Sequence, residues 1–229
     1  MKHTLFLSGL VFVLFSIVPL HAQENSITQQ LNEFSSIKAF DGLSINLIQA
    51  ETNKAVITGE NTNKVAIINK DGELKIRMEL GKIFSGYRTF IDLYYTGELM
   101  VIDANEDARV VCDTPIKQSV LELKTQEGAE VIINAFVEQL LIKSVTGGII
   151  TTNGSADTQD VIINTGGTYE GKALKTKFTT VAVNAGGNAS IQATNYVKAT
   201  VKAGGEVLVY GNPEKMDEKT VFGGKITRM

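Results

Sequence analysis

The chain contains no tryptophan, and its only two histidines, His3 and His21, lie within the first 22 residues. Those residues read as a leader that is cut away, so the exported chain is left without an imidazole. That excludes a Ser/His/Asp or Cys/His mechanism and removes the commonest transition-metal ligand. Without tryptophan, a sugar site has only Tyr and Phe to stack on. Cys112 is the one cysteine, so no internal disulfide forms and stability must come from packing. Its neighbours Val110, Val111 and Asp113 suit a small buried side chain better than a reactive thiol. Of three prolines only Pro115 and Pro213 follow the leader, which leaves strand ladders uninterrupted. No run of Lys and Arg stands out, making nucleic acid and anionic membrane poor partners. No stretch sustains the apolar stripe of an amphipathic helix.

Lys2 and His3 precede an apolar run from Leu5 to Val18, followed by Pro19-Leu20-His21-Ala22 and a turn to polar residues at Gln23. This pattern predicts a secretory signal peptide over 1–22, cut after Ala22. A run of about 14 residues is short for a membrane span of about 20, and no transmembrane span is expected in the chain that remains. No cysteine lies near the cut, so the lipoprotein route is excluded. The remaining 207 residues suffice for one domain, with 21 basic residues against 25 acidic, a net charge of −4. The expected location is the periplasm or the cell surface.

Against these absences stands a regular series of double glycines: Gly147-Gly148, Gly166-Gly167, Gly186-Gly187, Gly204-Gly205 and Gly223-Gly224. From first glycine to first glycine the intervals are 19, 20, 18 and 19 residues. The approaches repeat as well, as in Val161-Ile162-Ile163-Asn164-Thr165 and Val181-Ala182-Val183-Asn184-Ala185. Alternating residues ending in a glycine turn, at a period near 20, predict an all-β, single-stranded β-helix, a β-solenoid whose coils bury their inner faces by stacking. Val197, Ala199, Val201 and Ala203 are expected to point inward, and Lys198, Thr200 and Lys202 outward. Asn164 and Asn184, one period apart, are placed to stack as an asparagine ladder.

Residues 23–36 read as a polar lead-in, with order beginning near Ile37. Residues 37–98 read as hairpins capping one end, with a tight turn at Asp71-Gly72. Gly-Gly coils follow over 99–210, with the solenoid beginning before its glycines do. Residues 211–229 read as a C-terminal cap carrying Pro213 and several charges.

Phe40-Asp41-Gly42-Leu43 near the start, the run from Val201 through Gly204-Gly205 and Tyr210-Gly211-Asn212 to Pro213, and Phe222 to Ile226 resemble the family of "putative auto-transporter adhesin, head GIN domain" proteins. The resemblance covers about 37–229. It implies an exported bacterial protein of the Bacteroidetes type with a right-handed β-helix-like fold, and it supplies no catalytic residues. The adhesin label rests on fold, which alone does not give function.

Two constellations invite chemistry. Asp103, Asn105, Asp107, Arg109 and Asp113 share an outer face if 100–113 is one strand, with Met100, Ile102, Ala104, Ala108, Val110 and Cys112 inward and Glu106 at a turn. Asp103, Asp107 and Asp113 in such a row are candidates for Ca²⁺, and Asp103, Asp107 and Arg109 for β-elimination on an acidic polysaccharide. The row lacks the spacing of a calcium loop, and a solvated strand face looks the same. Tyr87, Arg88, Tyr94 and Tyr95 are the side chains a sugar or protein contact uses; an aromatic plug at one end of the core also accounts for them. The Gly-Gly turns lead into no helix N-terminus, so they are not phosphate loops, and no cofactor is assigned. The sequence thus points to a non-enzymatic envelope solenoid acting in adhesion, with a surface glycan or envelope protein as partner and self-association through a flat face. The alternative is a β-helix carbohydrate-active enzyme, lyase or hydrolase, built on the acidic row.

Overall fold

The computed structural model describes residues 26–229; the leader assigned to 1–22 lies outside them. Short strands come first: β1 (Ile27–Gln30), β2 (Ser36–Ala39), β3 (Ser44–Gln49), β4 (Lys54–Gly59), β5 (Val65–Lys70), β6 (Glu73–Met78), β7 (Thr89–Tyr95) and β8 (Val101–Ala104). Long ones follow, β9 (Arg109–Thr125), β10 (Glu130–Ser144), β11 (Ile149–Ile163), β12 (Thr168–Asn184) and β13 (Asn188–Lys202), then β14 (Glu206–Tyr210), β15 (Lys215–Val221) and β16 (Lys225–Arg228). From β9 onward all pairings are parallel, with Val131 beside Val110 on one side and Ile150 on the other. The result is a β-solenoid of about seven turns with about 19 residues in each.

The corners explain the period. Each opens with two consecutive residues at positive φ, such as Thr165 at 47° and Gly166 at 73°. The same pair recurs at Glu106-Asp107, Glu127-Gly128, Thr146-Gly147, Ala185-Gly186, Ala203-Gly204 and Phe222-Gly223, and first of all at Asp41-Gly42. Two left-handed residues in succession reverse the chain tightly. Gly166 accepts its φ without strain, and a Cβ there would meet nothing within 4 Å. Gly167 is needed for a different reason: its Cβ would lie 2.5 Å from the Ser144 carbonyl oxygen of the coil before. In the two coils preceding Gly147 that place is held by the fully buried Ala108 and Ala129. Neighbouring corners are also bonded to each other, the Gly166 N–H donating to the Ala185 carbonyl at 3.2 Å.

Between corners the inward set follows the two-residue period, and Val197, Ala199 and Val201 are fully buried. Ala203, expected inward with them, is exposed because it opens a corner at φ 57°. Met100 is likewise 40% exposed, lying just ahead of β8. In β12 the buried residues run Tyr169, Gly171, then Leu174, Thr176, then Thr179, Val181, Val183. Each three-residue step marks a bend, so a coil has three short sides. A polar cluster sits within this core: the Tyr169 hydroxyl bonds Gln159 Oε1 at 2.9 Å and Thr152 Oγ1 at 2.7 Å, and Gln159 Nε2 donates to Thr179 Oγ1 at 3.3 Å. Asn184 Nδ2 donates to Asn164 Oδ1 at 2.9 Å, forming the expected ladder; Lys202 follows in the next coil and ends it. Cys112 is buried, as its neighbours predict.

The starts of the long strands form one sheet, ordered β1-β4-β7-β3-β9-β10-β11-β12-β13-β14-β16. Their ends form a second, continued by β8, β2, β6 and β5 at one end and β15 at the other. The expectation of hairpins over 37–98 therefore needs correction. β5 and β6 do form one, turning at Asp71 and Gly72, but β2 and β3 run parallel to β8 and β9 as a coil of the solenoid. β6 and β7 lie parallel beyond them, joined by an enlarged corner over residues 79–88. The antiparallel additions are β4 and β1 on one sheet and β5 on the other. The lead-in assigned to 23–36 is corrected as well: it contains β1, and Phe34 is a core residue.

At the opposite end, register places Met216, Glu218 and Thr220 of β15, and Ile226 and Arg228 of β16, at inward positions. Glu218 and Arg228 meet there at 3.4 Å. Charge at inward positions closes the last coil against further stacking.

Candidate functional site

The acidic row read from the sequence is divided by the corner at Glu106-Asp107. Asp103 lies on β8 in the second sheet, facing out and half-buried, with its neighbours Lys38 and Lys124 in register. Burial raises its carboxyl above the ordinary range, against the opposing pull of the Asn105 amide and the two lysines. Asn105 is buried and donates to the Ala39 carbonyl and to Asp103 Oδ1. Asp107 sits on the corner itself and accepts a hydrogen bond from the Tyr87 hydroxyl at 2.8 Å. That bond, more than burial, raises the Tyr87 hydroxyl's pKa. Arg109 and Asp113 belong to β9 in the first sheet. Asp103, Asp107 and Asp113 do not converge, and among the described residues no group of three or more His, Cys, Asp or Glu is placed to hold a metal ion. The lyase set Asp103, Asp107 and Arg109 is split the same way, over two sheets and a corner.

The aromatic set is also divided. Tyr87 packs on the first corner, where a Cβ on Gly42 would lie 2.9 Å from its ring. Arg88 projects into solvent and pairs with Glu60 at 2.9 Å. Tyr95 points inward and is buried beside Cys112, and burial drives its hydroxyl pKa far up. Tyr94, one residue earlier and so on the opposite face, points outward with Lys54 Nζ 4.5 Å from its ring centre.

The structure brings part of each set together on the outer face of the first sheet. Alternation turns Ser44 and Asn46 of β3, Phe90, Asp92 and Tyr94 of β7, and Arg109, Val111 and Asp113 of β9 to that side. β3 and β9 pair over only three residues, Ser44–Asn46 with Arg109–Val111. Beyond that point β9 bulges: Asp113, Thr114 and Pro115 stand where β10 has the single residue Asn134. Pro115 has no N–H to give the ladder, which fits a bulge. The parting strands open a cleft of about 330 Å³ lined by Asn46, Phe90, Asp92, Arg109, Val111 and Asp113. Its polar groups are held in place. Asn46 Nδ2 donates to Asp92 Oδ1 at 3.0 Å, and Arg109 Nε donates to Glu130 Oε2 at 2.7 Å. Phe90 is half-exposed beside them. An aromatic face next to fixed planar hydrogen-bonding groups equips the cleft for binding. Asn46, Phe90 and Asp92 were not among the candidate site residues, although Phe90 belongs to the aromatic concentration of residues 79–100; the two-residue spacing of Phe90, Asp92 and Tyr94 in one strand was the available signal.

Residues 33–213 match the family described as "Putative auto-transporter adhesin, head GIN domain". Among solved structures, the fold is shared with a "putative adhesin" from Bacteroides fragilis at TM-score 0.82 and 18% identity, covering 89% of this chain and 96% of that one. A "putative adhesin" from Parabacteroides distasonis gives 0.71 at 18% identity, with 89% and 96% covered. A "Putative lipid binding protein" from the same species gives 0.70 at 14% identity, with 90% and 98% covered. At these identities the likeness is one of fold. No curated protein matches the chain.

Proposed function

The chain belongs to the family of "Putative auto-transporter adhesin, head GIN domain" proteins, and on that premise we propose that it is an exported, non-catalytic envelope module that holds a surface ligand in the cleft at Phe90. The observation that carries this reading is the cleft itself, an aromatic side chain beside hydrogen-bonded polar groups on a sheet face that continues past the β9 bulge into the coils. Export is supported by the leader pattern over 1–22. Lack of catalysis is supported by the separation of Asp103 from Arg109 and by the absence of histidine beyond residue 22. Among the described residues no helix is long and apolar enough to cross a membrane. The partner is a surface glycan; an envelope protein is the other occupant such a face fits.

The test uses the mature chain from Gln23, coated on beads and passed over bacterial cells and a glycan array, with ultraviolet monitoring of bound polymer for new unsaturated ends. Retention without cleavage, lost in Phe90→Ala and kept in Asp107→Ala, is the expected result. Cleavage that depends on Asp107 or Arg109 would restore the enzyme reading.

A further inference from the structure

We infer that the cleft is a subsite for a neutral sugar ring and that it discriminates against acidic glycans. The inference rests on the adhesive reading above and names its ligand class. Phe90 presents a flat apolar surface of the size that the C–H face of a pyranose covers, and it does so without a tryptophan. Beside it Asn46 spends one amide N–H on Asp92 Oδ1, leaving its other N–H, its carbonyl oxygen and Asp92 Oδ2 for the ligand. Donor and acceptors at fixed short spacing match vicinal hydroxyls, each of which both donates and accepts. Arg109 is held through Nε by Glu130, which leaves its terminal N–H groups directed by a rigid fork.

Charge decides the class. Arg109 is neutralised by Glu130 at 2.7 Å, while Asp92 and Asp113 line the cleft with no cation bonded to either among the described residues. On the same face Lys54 lies over the Tyr94 ring, and Arg88 is paired with Glu60 at 2.9 Å. A uronate or sulfate entering the cleft would face two carboxylates, and like charge across an interface is a strong means of rejection. At about 330 Å³ the cleft is near the small end of ligand pockets, roughly 300–1,000 Å³, so it takes one unit or the end of a glycan rather than a long stretch.

The experiment titrates the mature chain with mannotriose, galactotriose and fully N-acetylated chitotriose, and with trigalacturonate, by isothermal calorimetry at low salt and again at about 0.5 M NaCl. At least one neutral trimer is expected to bind, at least tenfold more tightly than trigalacturonate at low salt, with the gap narrowing as salt screens the carboxylates. Phe90→Ala and Asn46→Ala are each expected to weaken the neutral trimer tenfold or more with an unchanged circular dichroism spectrum. Asp92→Asn with Asp113→Asn is expected to close the gap from the acidic side. Trigalacturonate binding as tightly as the best neutral trimer would overturn the inference, as would neutral binding indifferent to Phe90. If no trimer binds while protein-coated beads still adhere to cells, the sugar subsite is refuted and the adhesive reading stands; if the beads fail too, both fall.

Discussion

Each corner glycine answers to its own constraint. Gly166 supplies a backbone angle and Gly167 supplies room. Asparagine tolerates the left-handed region, whereas an added side chain at Gly167 collides with the preceding coil. Gly166→Asn is therefore expected to cost less than the roughly 1–2 kcal/mol of an ordinary residue in that region. Gly167→Asn should cost about 1–3 kcal/mol or more from overpacking. Urea denaturation of the two variants ranks them, and the reverse order would refute the division of roles. A second single-residue case is Glu106, whose Oε2 is buried without a hydrogen-bond partner. Burial, then the charge of Asp41, raises its carboxyl above 4.5, with Glu127 adding to the rise and Arg77 opposing it. The folded state thus holds this proton more tightly than the unfolded chain. The associated stability is complete below about pH 4.5 and is lost as pH rises through the elevated value. Glu106→Gln removes that loss, so its melting temperature should gain on the wild type as pH rises from 4 to 7; a constant difference would show that the carboxyl does not titrate in that window.

Strands and their ends were only partly legible from sequence. The Gly-Gly period was visible because the corner glycines recur every 18 to 20 residues, at intervals set by the coil itself. Asp41-Gly42 is the same corner, stacked on Glu106-Asp107 with the Gly42 N–H bonded to the Glu106 carbonyl at 2.8 Å. It escaped notice as part of the series because β4 to β7 are inserted before the coil resumes. The row from Asp103 to Asp113 dissolved because two left-handed residues in its middle turn one strand into two, on different sheets. The cleft was hidden for the complementary reason: Asn46, Asp92 and Arg109 are far apart in the chain and meet only through parallel pairing, which leaves no local mark. Within β12, Tyr169 completes a buried hydrogen-bond cluster, and Tyr169→Phe would strand Gln159 and Thr152. A loss of about 1–3 kcal/mol is expected, read from chemical denaturation; no loss would mean that the cluster rearranges freely. At the C-terminal end, replacing the inward pair Glu218 and Arg228 by valine should leave the monomer folded but make it self-associate with concentration, as seen by sedimentation. A strictly monomeric double variant would show that the charges are not what closes the end.

Over the whole molecule, one sheet carries both the cleft and the coils, with no hinge between them. Corner stacks and parallel ladders make each coil depend chiefly on its two neighbours, so stability accumulates along the axis, coil by coil. The cleft sits toward the N-terminal end, and everything from β10 to Met229 lies on its other side. A tension between a ligand seated on Phe90 and a tether at Met229 would therefore load the final coil first, opening its bonds in succession instead of shearing a whole sheet. Each coil of about 19 residues pays out roughly 65 Å of chain at about 3.4 Å per residue. Single-molecule pulling should then trace a sawtooth of nearly equal steps, and one abrupt rip would contradict it. Such a chain yields under strain by unspooling from its far end, leaving the grip at Phe90 intact while the slack absorbs the shock.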